Sequence, residues 1–198
     1  MGRVKSATRN IAFGYVGQVA TALISFVLRT VFLLHLNEKL LGINSTYTNV
    51  LAVLNMAELG IGTALNFSLY GPVARGEKEK IKSYMRLYRK VYFIIACVVA
   101  GVGLLISPFL KFLVKNPGDV SLRDLTLFYF IFLFNTVSSY FVAYKYSLVN
   151  AEQKNYIQTN INTITKVITS LIQIVIIVVF ENFYLFLLTD AADRKSVV

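Results

Sequence analysis

Residue types that soluble enzymes use for chemistry are scarce in this chain of 198 residues. It has one cysteine, Cys97, one histidine, His35, and no tryptophan. A single cysteine cannot form an internal disulfide, and no set of cysteines and histidines has the spacing of a metal site. No Ser/His/Asp set and no glycine-rich phosphate loop is visible. The sequence therefore predicts neither a metal site nor a cofactor, and it predicts that the chain is not an enzyme.

Charged residues are also scarce, whereas hydrophobic residues are abundant. They make up 15% and 56% of the chain, and the mean hydropathy is +0.62. Soluble domains carry about 25% charged residues. The core of a soluble chain of this size would not hold so much apolar surface, so lipid must surround much of it. The sequence predicts an integral membrane protein.

Long apolar runs predict membrane-spanning α-helices. A span needs about 20 residues, and the runs are too long and lack the strict alternation of a β-barrel. The fold class that we expect is an all-α, polytopic helix bundle with five complete helices and the start of a sixth. The expected helices cover about residues 11–36, 43–70, 91–113, 125–148 and 156–180, and the sixth begins at 183.

Basic residues outnumber acidic ones by 20 to 10, and most of them lie in short segments on one side of the predicted membrane. The positive-inside rule then places the N-terminus in the cytoplasm. No basic stretch is interleaved with stacking aromatics, so nucleic acid is not an expected partner. The basic segment 71–90 predicts an interfacial helix that binds anionic membrane lipids. Alternatively, Arg75 and its neighbours receive a phosphate-bearing substrate at the cytoplasmic mouth.

Four predicted helices carry a polar stripe along one face, because their polar residues recur at helical spacing. The stripes are Gln18, Thr21, Ser25 and Arg29; Asn44, Thr48, Asn55, Gly62 and Asn66; Asn135, Ser138 and Ser139; and Asn162, Lys166, Thr169 and Gln173. Such stripes are typical of hydrogen bonding between packed helices, or of a water-filled cavity for a polar substrate. We expect helix packing for the Ser and Thr positions and a cavity for the charged positions.

Glu58 lies near the middle of the second predicted helix, where an unpaired carboxylate is strongly disfavoured. Lys166 lies at a similar depth, about three turns from the cytoplasmic end of its helix, and is the expected partner. Arg29 lies nearer the outer end and could reach the headgroups instead. A permanent pair would be a structural latch, whereas a pair that opens would be a gate. Gly60 and Gly62 beside the carboxylate indicate a bendable helix, as in transporters.

The chain ends soon after the start of the sixth helix. The apolar run from residue 183 is too short to span a bilayer, and residues 193–198, DRKSVV, match the translated start of a common sequencing adapter. We therefore expect residues 1–189 to form a transmembrane bundle, residues 190–198 to be a non-native tail, and the natural gene to continue.

Several stretches of the sequence carry a family resemblance. They are LGIN at 41–44, AELGIGTALNFSLY at 57–70 with the GEKEKIKSYMRLY that follows it, and SSYFVAYKYSLVNAEQKNYI at 138–157. These stretches resemble bacterial polysaccharide flippases of the multidrug/oligosaccharidyl-lipid/polysaccharide exporter superfamily. The resemblance covers nearly the whole chain up to about residue 188.

The resemblance implies roughly twelve to fourteen helices in two bundles around a central cavity. This chain would supply most of the N-terminal bundle, and the missing C-terminal bundle would be its partner. The family moves undecaprenyl-pyrophosphate-linked sugar repeat units across the bacterial cytoplasmic membrane, for capsule or similar polymers, by alternating access. The substrate-binding residues that the resemblance and the stripes together imply are Gln18, Arg29, Asn55, Glu58, Asn66 and Lys166, with Arg75 near the mouth.

Three alternatives remain open from the sequence. One is a multidrug/cation antiporter of the same superfamily, in which Glu58 would carry protons. Another is a membrane polymerase or ligase that acts on the same lipid-linked sugars, although the outer connections are short for such an enzyme. The last is a membrane scaffold without transport activity.

Overall fold

The computed structural model describes the backbone of residues 2–56, 59–114, 118 and 120–196, and the side chains of residues 14–56, 60–114, 118 and 120–190. These residues form helices and no strands. The helices are α1 (Gly2–His35), α2 (Glu38–Asn55), α3 (Leu59–Arg75), α4 (Lys78–Ile106), α5 (Leu110–Leu113), α6 (Leu122–Ala151), α7 (Asn155–Phe180) and α8 (Phe183–Ser196). A 3₁₀ turn at Ser107–Phe109, which contains Pro108, joins α4 to α5. The all-α prediction is confirmed for the described residues.

Membrane-spanning character follows from four helical segments in the described part of the chain. They are long and apolar enough to cross a bilayer, and they cover Gly14–His35, Lys78–Leu113, Leu122–Ala151 and Asn155–Phe180. Their outer faces carry exposed apolar side chains, such as Phe26 and Leu105, each 72% exposed. The structure is that of a multi-pass helical bundle with large apolar surfaces for lipid.

The second predicted helix differs most from expectation. We predicted one helix over about residues 43–70, but the structure has α2 and α3, which meet at an angle of 51°. The two helices are long and apolar enough for a fifth membrane span only if they are counted as one. Glu58 lies at this break and outside the described residues. The two glycines at Gly60 and Gly62 are the sequence feature that fits a bend here.

The third predicted helix begins earlier than expected. α4 starts at Lys78, so residues 78–90 of the basic segment are the first part of a long helix that continues into the apolar run, and they do not form a separate interfacial helix. Gly76 separates α3 from α4 with φ of +68°, a conformation that favours glycine. No glycine or proline follows until Gly101, so nothing in the sequence stops the helix between its basic and apolar parts.

The bundle is arranged around α6. α1 packs along α7, α4 packs along α6, α3 lies against α6, and α8 packs against both α6 and α7. The largest buried cluster joins aromatic residues of four helices, with Tyr47 and Tyr129 edge to face at 5.5 Å and Phe32 and Phe186 at 5.3 Å. This aromatic cluster fixes the bundle on the side where α1 ends and α8 begins.

Tyrosine hydroxyls make several of the hydrogen bonds between the described helices. Tyr47 donates to the carbonyl of Leu125 at 3.0 Å, and Tyr129 donates to the carbonyl of Gly103 at 2.8 Å. Tyr140 donates to the side-chain oxygen of Asn55 at 2.7 Å, at the last residue of α2. Each bond joins α6 to a neighbouring helix, so α6 is the central element of the bundle.

Candidate functional site

The candidate site is built from three neighbouring cavities whose walls are the polar stripes. The first, which we call the lysine cleft, has a volume of about 730 Å³ and lies between α1, α6 and α7. Its lining is Gly17, Gln18, Thr21, Ala22, Ser25, Ser139, Val142, Tyr146, Thr159, Asn162, Thr163 and Lys166. Gln18 and Lys166 are thereby brought to one space from helices that are far apart in sequence.

The second, which we call the arginine cavity, has a volume of about 500 Å³ and lies between α1, α2, α6, α7 and α8. Its polar lining comprises Ser25, Arg29, Asn44, Ser45, Thr48, Asn49, Asn55, Thr136, Lys166, Gln173 and Asp190. Arg29 and Lys166 face the same cavity from α1 and α7.

The third, which we call the amide pocket, has a volume of about 430 Å³ and lies between α3, α4 and α6. Its lining is Asn55, Gly62, Thr63, Asn66, Tyr92, Ala143, Tyr146, Ser147 and Asn150. Among the described residues that line it, none carries a charge.

The three cavities adjoin one another through shared lining residues. Ser25 and Lys166 line both the lysine cleft and the arginine cavity, Tyr146 lines the cleft and the amide pocket, and Asn55 lines the arginine cavity and the amide pocket. Each of the four stripes that the sequence predicted contributes to this lining, the stripe on α6 through Ser139 alone. The described charged residues line the lysine cleft and the arginine cavity, and none lines the amide pocket.

The cationic side chains are available to a ligand. Within the part of the chain that the structure describes, neither Arg29 nor Lys166 is within ion-pair distance of a carboxylate. Arg29 is exposed and Lys166 is partly buried in the walls of the cavity. Arg29 offers five N–H donors in a planar fork, and Lys166 offers three. Two cations beside one cavity, without an ion-pair partner among the described residues, are suited to a multivalent anion.

Asp190 is a cavity residue that the sequence reasoning missed. It lies in α8 and lines the arginine cavity with Arg29 and Lys166. The sequence places it in a predicted non-native tail, residues 190–198, because residues 193–198 match a translated sequencing adapter, and that origin stays a prediction. α8 runs through position 190 and forms one side of the arginine cavity.

Gln173 brings a buried amide to the arginine cavity. It is 1% exposed, and its amide nitrogen donates to the carbonyl of Phe186 at 3.4 Å. Its amide oxygen has no hydrogen-bond partner among the described residues. An unpaired buried polar group is costly, so a water or a ligand group that donates to this oxygen would be stabilising. Oδ1 of Asn135 and Oγ of Ser170 also lack partners among the described residues, but neither residue lines any of the three cavities.

The hydroxyls of the stripes do not all act as we expected. Thr21 donates to the carbonyl of Gly17 at 2.7 Å, Thr48 to that of Asn44 at 2.8 Å, and Ser139 to that of Thr136 at 2.7 Å. These bonds stay within one helix, so the expected hydrogen bonding between helices is not made by these three residues. Tyrosine hydroxyls, which lie outside the stripes, make such bonds instead.

Of the seven predicted site residues, Arg75 is the described one that does not line any of the three cavities, and Glu58 lies outside the described residues. Arg75 is exposed at the end of α3, outside the lining of all three, and its Nε lies 2.6 Å from Oε1 of Glu77. Hydrogen bonds from Lys80 and then from Arg75 lower the pKa of Glu77. Arg75, which we predicted to lie near the cytoplasmic mouth, therefore forms a local ion pair at the surface. Glu58 lies outside the described residues, and so does its predicted pair with Lys166.

The remaining five predicted residues, Gln18, Arg29, Asn55, Asn66 and Lys166, all line the cavities. Asn55 also has a structural task, because its side chain accepts the hydrogen bond from Tyr140. The described residues contain no group of three or more His, Cys, Asp or Glu side chains that could hold a metal ion.

Comparison of the chain with family models, with curated proteins and with solved structures finds no match. The geometry and chemistry of the cavities therefore carry the functional argument.

Proposed function

We propose that this chain is the N-terminal bundle of a flippase that moves undecaprenyl-pyrophosphate-linked oligosaccharide across the bacterial cytoplasmic membrane. The observation that carries the proposal is the position of Arg29 and Lys166, which face one cavity without an acidic partner among the described residues. Charges inside a membrane protein are costly and usually mark a substrate or ion pathway. A pyrophosphate would supply the missing anionic partner for both cations.

The surroundings of the cavity suit a ligand that is polar at one end and apolar at the other. On α1, Gln18 and Ser25 line the lysine cleft, whereas Val19, Leu23 and Phe26 on the other faces are exposed and apolar. A polyprenyl chain would remain in lipid along such faces while its headgroup occupies the cleft. This division separates the headgroup from hydrocarbon, which is the main barrier to crossing a bilayer.

The mechanism that we propose is alternating access. In this mechanism the N-terminus would be cytoplasmic and a second bundle would complete the cavity. The described helices supply up to five candidate spans if α2 and α3 count as one. Arg29 and Lys166 bind the pyrophosphate, and Gln18, Asn55 and Asn66 bind sugar hydroxyls or ordered water. The broken α2–α3 pair supplies a flexible wall. The anion moves with the cavity as the two bundles rock.

Two other classes compete with this proposal. A multidrug/cation antiporter would need a carboxylate to carry protons, and Asp190 is a described residue in a suitable place. A polymerase or ligase would need a reactive side chain beside the lipid-linked sugar. Because Arg29 and Lys166 outnumber Asp190 among the described charges of the arginine cavity, an anionic substrate is favoured.

The purified chain in lipid nanodiscs tests the proposal through its choice of ligand. Native mass spectrometry would measure binding of undecaprenyl pyrophosphate, undecaprenol and tetraphenylphosphonium. We expect undecaprenyl pyrophosphate to bind at least about tenfold more tightly than undecaprenol, because one charge-assisted hydrogen bond contributes about 1.5–3 kcal/mol. Equal binding of the two lipids would contradict the proposal, and preferential binding of the phosphonium would favour the antiporter.

Removal of the acidic charge from the arginine cavity should strengthen anion binding. In the variant Asp190→Asn, repulsion of about 1 kcal/mol between the carboxylate and a bound anion is lost. We expect the affinity for inorganic pyrophosphate, measured by isothermal titration calorimetry, to rise about fivefold. Glu79→Gln, which removes an exposed charge from α4 outside the cavities, should leave it unchanged. Weaker binding by Asp190→Asn would mean that the carboxylate orients the cations and does not compete with the anion.

A further inference from the structure

We propose that the amide pocket is a subsite for an uncharged sugar, separate from the subsite of the pyrophosphate. The inference rests on the proposed function and adds a division of the ligand between two parts of the cavity. The lining of the amide pocket combines side-chain amides from Asn55, Asn66 and Asn150 with hydroxyls and two tyrosine rings. Its volume of about 430 Å³ falls within the range of about 300–1,000 Å³ that is usual for small-molecule sites.

The lining chemistry matches the hydrogen-bonding capacity of a sugar. Each side-chain amide both donates and accepts, as does each hydroxyl of a sugar ring. Oδ1 of Asn66 is buried and has no hydrogen-bond partner among the described residues. Ser147, which is 3% exposed, brings a hydroxyl to the same pocket. A sugar hydroxyl would supply the donor that Asn66 lacks.

The aromatic lining gives the pocket a second means of holding a sugar. Tyr92 and Tyr146 line it from α4 and α6. The apolar face of a pyranose ring packs against an aromatic ring while its hydroxyls bind polar groups, since tyrosine has both an apolar body and a polar end. The combination of rings and amides therefore favours a ring-shaped polyol over an extended apolar ligand.

The charge of the lining restricts the kind of sugar. None of the described residues that line the pocket is ionisable except through the phenols of its tyrosines. Burial of a carboxylate or an ammonium group without an opposite charge is strongly unfavourable. The pocket should therefore prefer an uncharged sugar, such as an N-acetylhexosamine, to a uronic acid or an amino sugar.

The position of the pocket connects it to the anion subsite. Asn55 lines both the amide pocket and the arginine cavity, and Tyr146 lines both the pocket and the lysine cleft. A ligand with its anionic group at Arg29 and Lys166 would thus have the uncharged amide pocket next to it. This adjacency suits one ligand that carries both an anionic group and an uncharged sugar.

Ligand-observed saturation-transfer NMR with the whole chain in nanodiscs tests the subsite. The probes are N-acetylglucosamine, glucuronate and glucosamine, with inorganic pyrophosphate titrated separately by calorimetry. We expect saturable binding of N-acetylglucosamine, at least about tenfold tighter than that of glucuronate or glucosamine. Tighter binding of either charged sugar would overturn the inference.

Matched variants locate the binding. Ser147→Ala should weaken N-acetylglucosamine binding about fivefold, and Asn66→Leu should weaken it further. Ser170→Ala changes a serine that is equally buried but lies outside the pocket, so it should have no effect. Unchanged sugar binding in Ser147→Ala and Asn66→Leu would overturn the inference.

Pyrophosphate binding separates failure of this inference from failure of the proposed function. All three variants should bind inorganic pyrophosphate as the wild type does, which also shows that each is folded. If the wild type binds pyrophosphate but not N-acetylglucosamine, the sugar subsite alone is overturned. Absence of both in the wild type would overturn the proposed function as well.

Discussion

The double variant Arg29→Gln/Lys166→Gln should bind undecaprenyl pyrophosphate about a hundredfold more weakly than the wild type. Each cation is expected to make at least one charge-assisted hydrogen bond to the pyrophosphate, worth about 1.5–3 kcal/mol. Loss of two such bonds corresponds to a factor of a hundred or more, since about 1.4 kcal/mol is tenfold. Glutamine keeps a polar side chain of useful length in the cavity, so the change isolates the charge.

The measurement should include a charge-matched control. Lys145→Gln/Arg86→Gln removes the same two charges from exposed positions on α6 and α4, outside the three cavities. Native mass spectrometry in nanodiscs should show wild-type affinity for this control. If both double variants lose binding equally, the effect is a general attraction between a basic chain and an anionic lipid, and the arginine cavity is not the binding site.

The largest effect on stability should come from Gly103→Val. A Cβ atom at Gly103 would lie 2.4 Å from Cδ1 of Leu133, so with a larger residue there either the buried Leu133 side chain must shift or α4 and α6 must move apart. The carbonyl of Gly103 also accepts the hydrogen bond from Tyr129. Overpacking of this kind costs about 1–3 kcal/mol, and displacement of the hydrogen bond adds about 1 kcal/mol. We expect a clear fall in the temperature at which the detergent-solubilised chain unfolds.

The same helix supplies a control for this substitution. A Cβ atom at Gly101 meets nothing within 4 Å, so Gly101→Val tests the effect of a β-branched residue in α4 without the clash. It should unfold within a few degrees of the wild type. Addition of Leu133→Ala to Gly103→Val should restore part of the lost stability, because it removes the clashing methyl groups. If Gly101→Val is equally destabilising, helix propensity and not packing limits α4.

Much of the helix bundle was predictable because lipid imposes a simple rule on sequence. An apolar run of about 20 residues has to be a helix when it lies in hydrocarbon, and this rule placed α6 and α7 within a few residues of their observed ends. The helix ends outside the apolar runs were less predictable. The predicted start of α4 was wrong. A basic amphipathic stretch has the same sequence pattern whether it lies on the membrane surface or extends a membrane-spanning helix beyond the bilayer.

The cavity walls were predictable from periodicity, but their contacts were not. Helical spacing placed Gln18, Arg29 and Lys166 on polar faces, and the structure brings those faces together. Which helices face each other depends on packing in three dimensions, so the part played by Asp190 could not be read from its position in the chain. The bonds of Tyr129 and Tyr140 were missed for the same reason, since tyrosines in apolar runs resemble ordinary core residues.

The packing of α8 has a consequence for how the cavity responds to a ligand. α8 contacts both α6 and α7, while α1 packs along α7, so α8 joins the α1–α7 pair to the rest of the bundle. Asp190 and Leu187 of the same helix line the arginine cavity. Binding free energy in the cavity and the docking of α8 are therefore linked, and the linkage is reciprocal. If a ligand draws α1 and α7 towards α2, we expect it to protect the amides of α8 from hydrogen exchange, and we expect a change that loosens α8 to weaken binding of that ligand by the same factor.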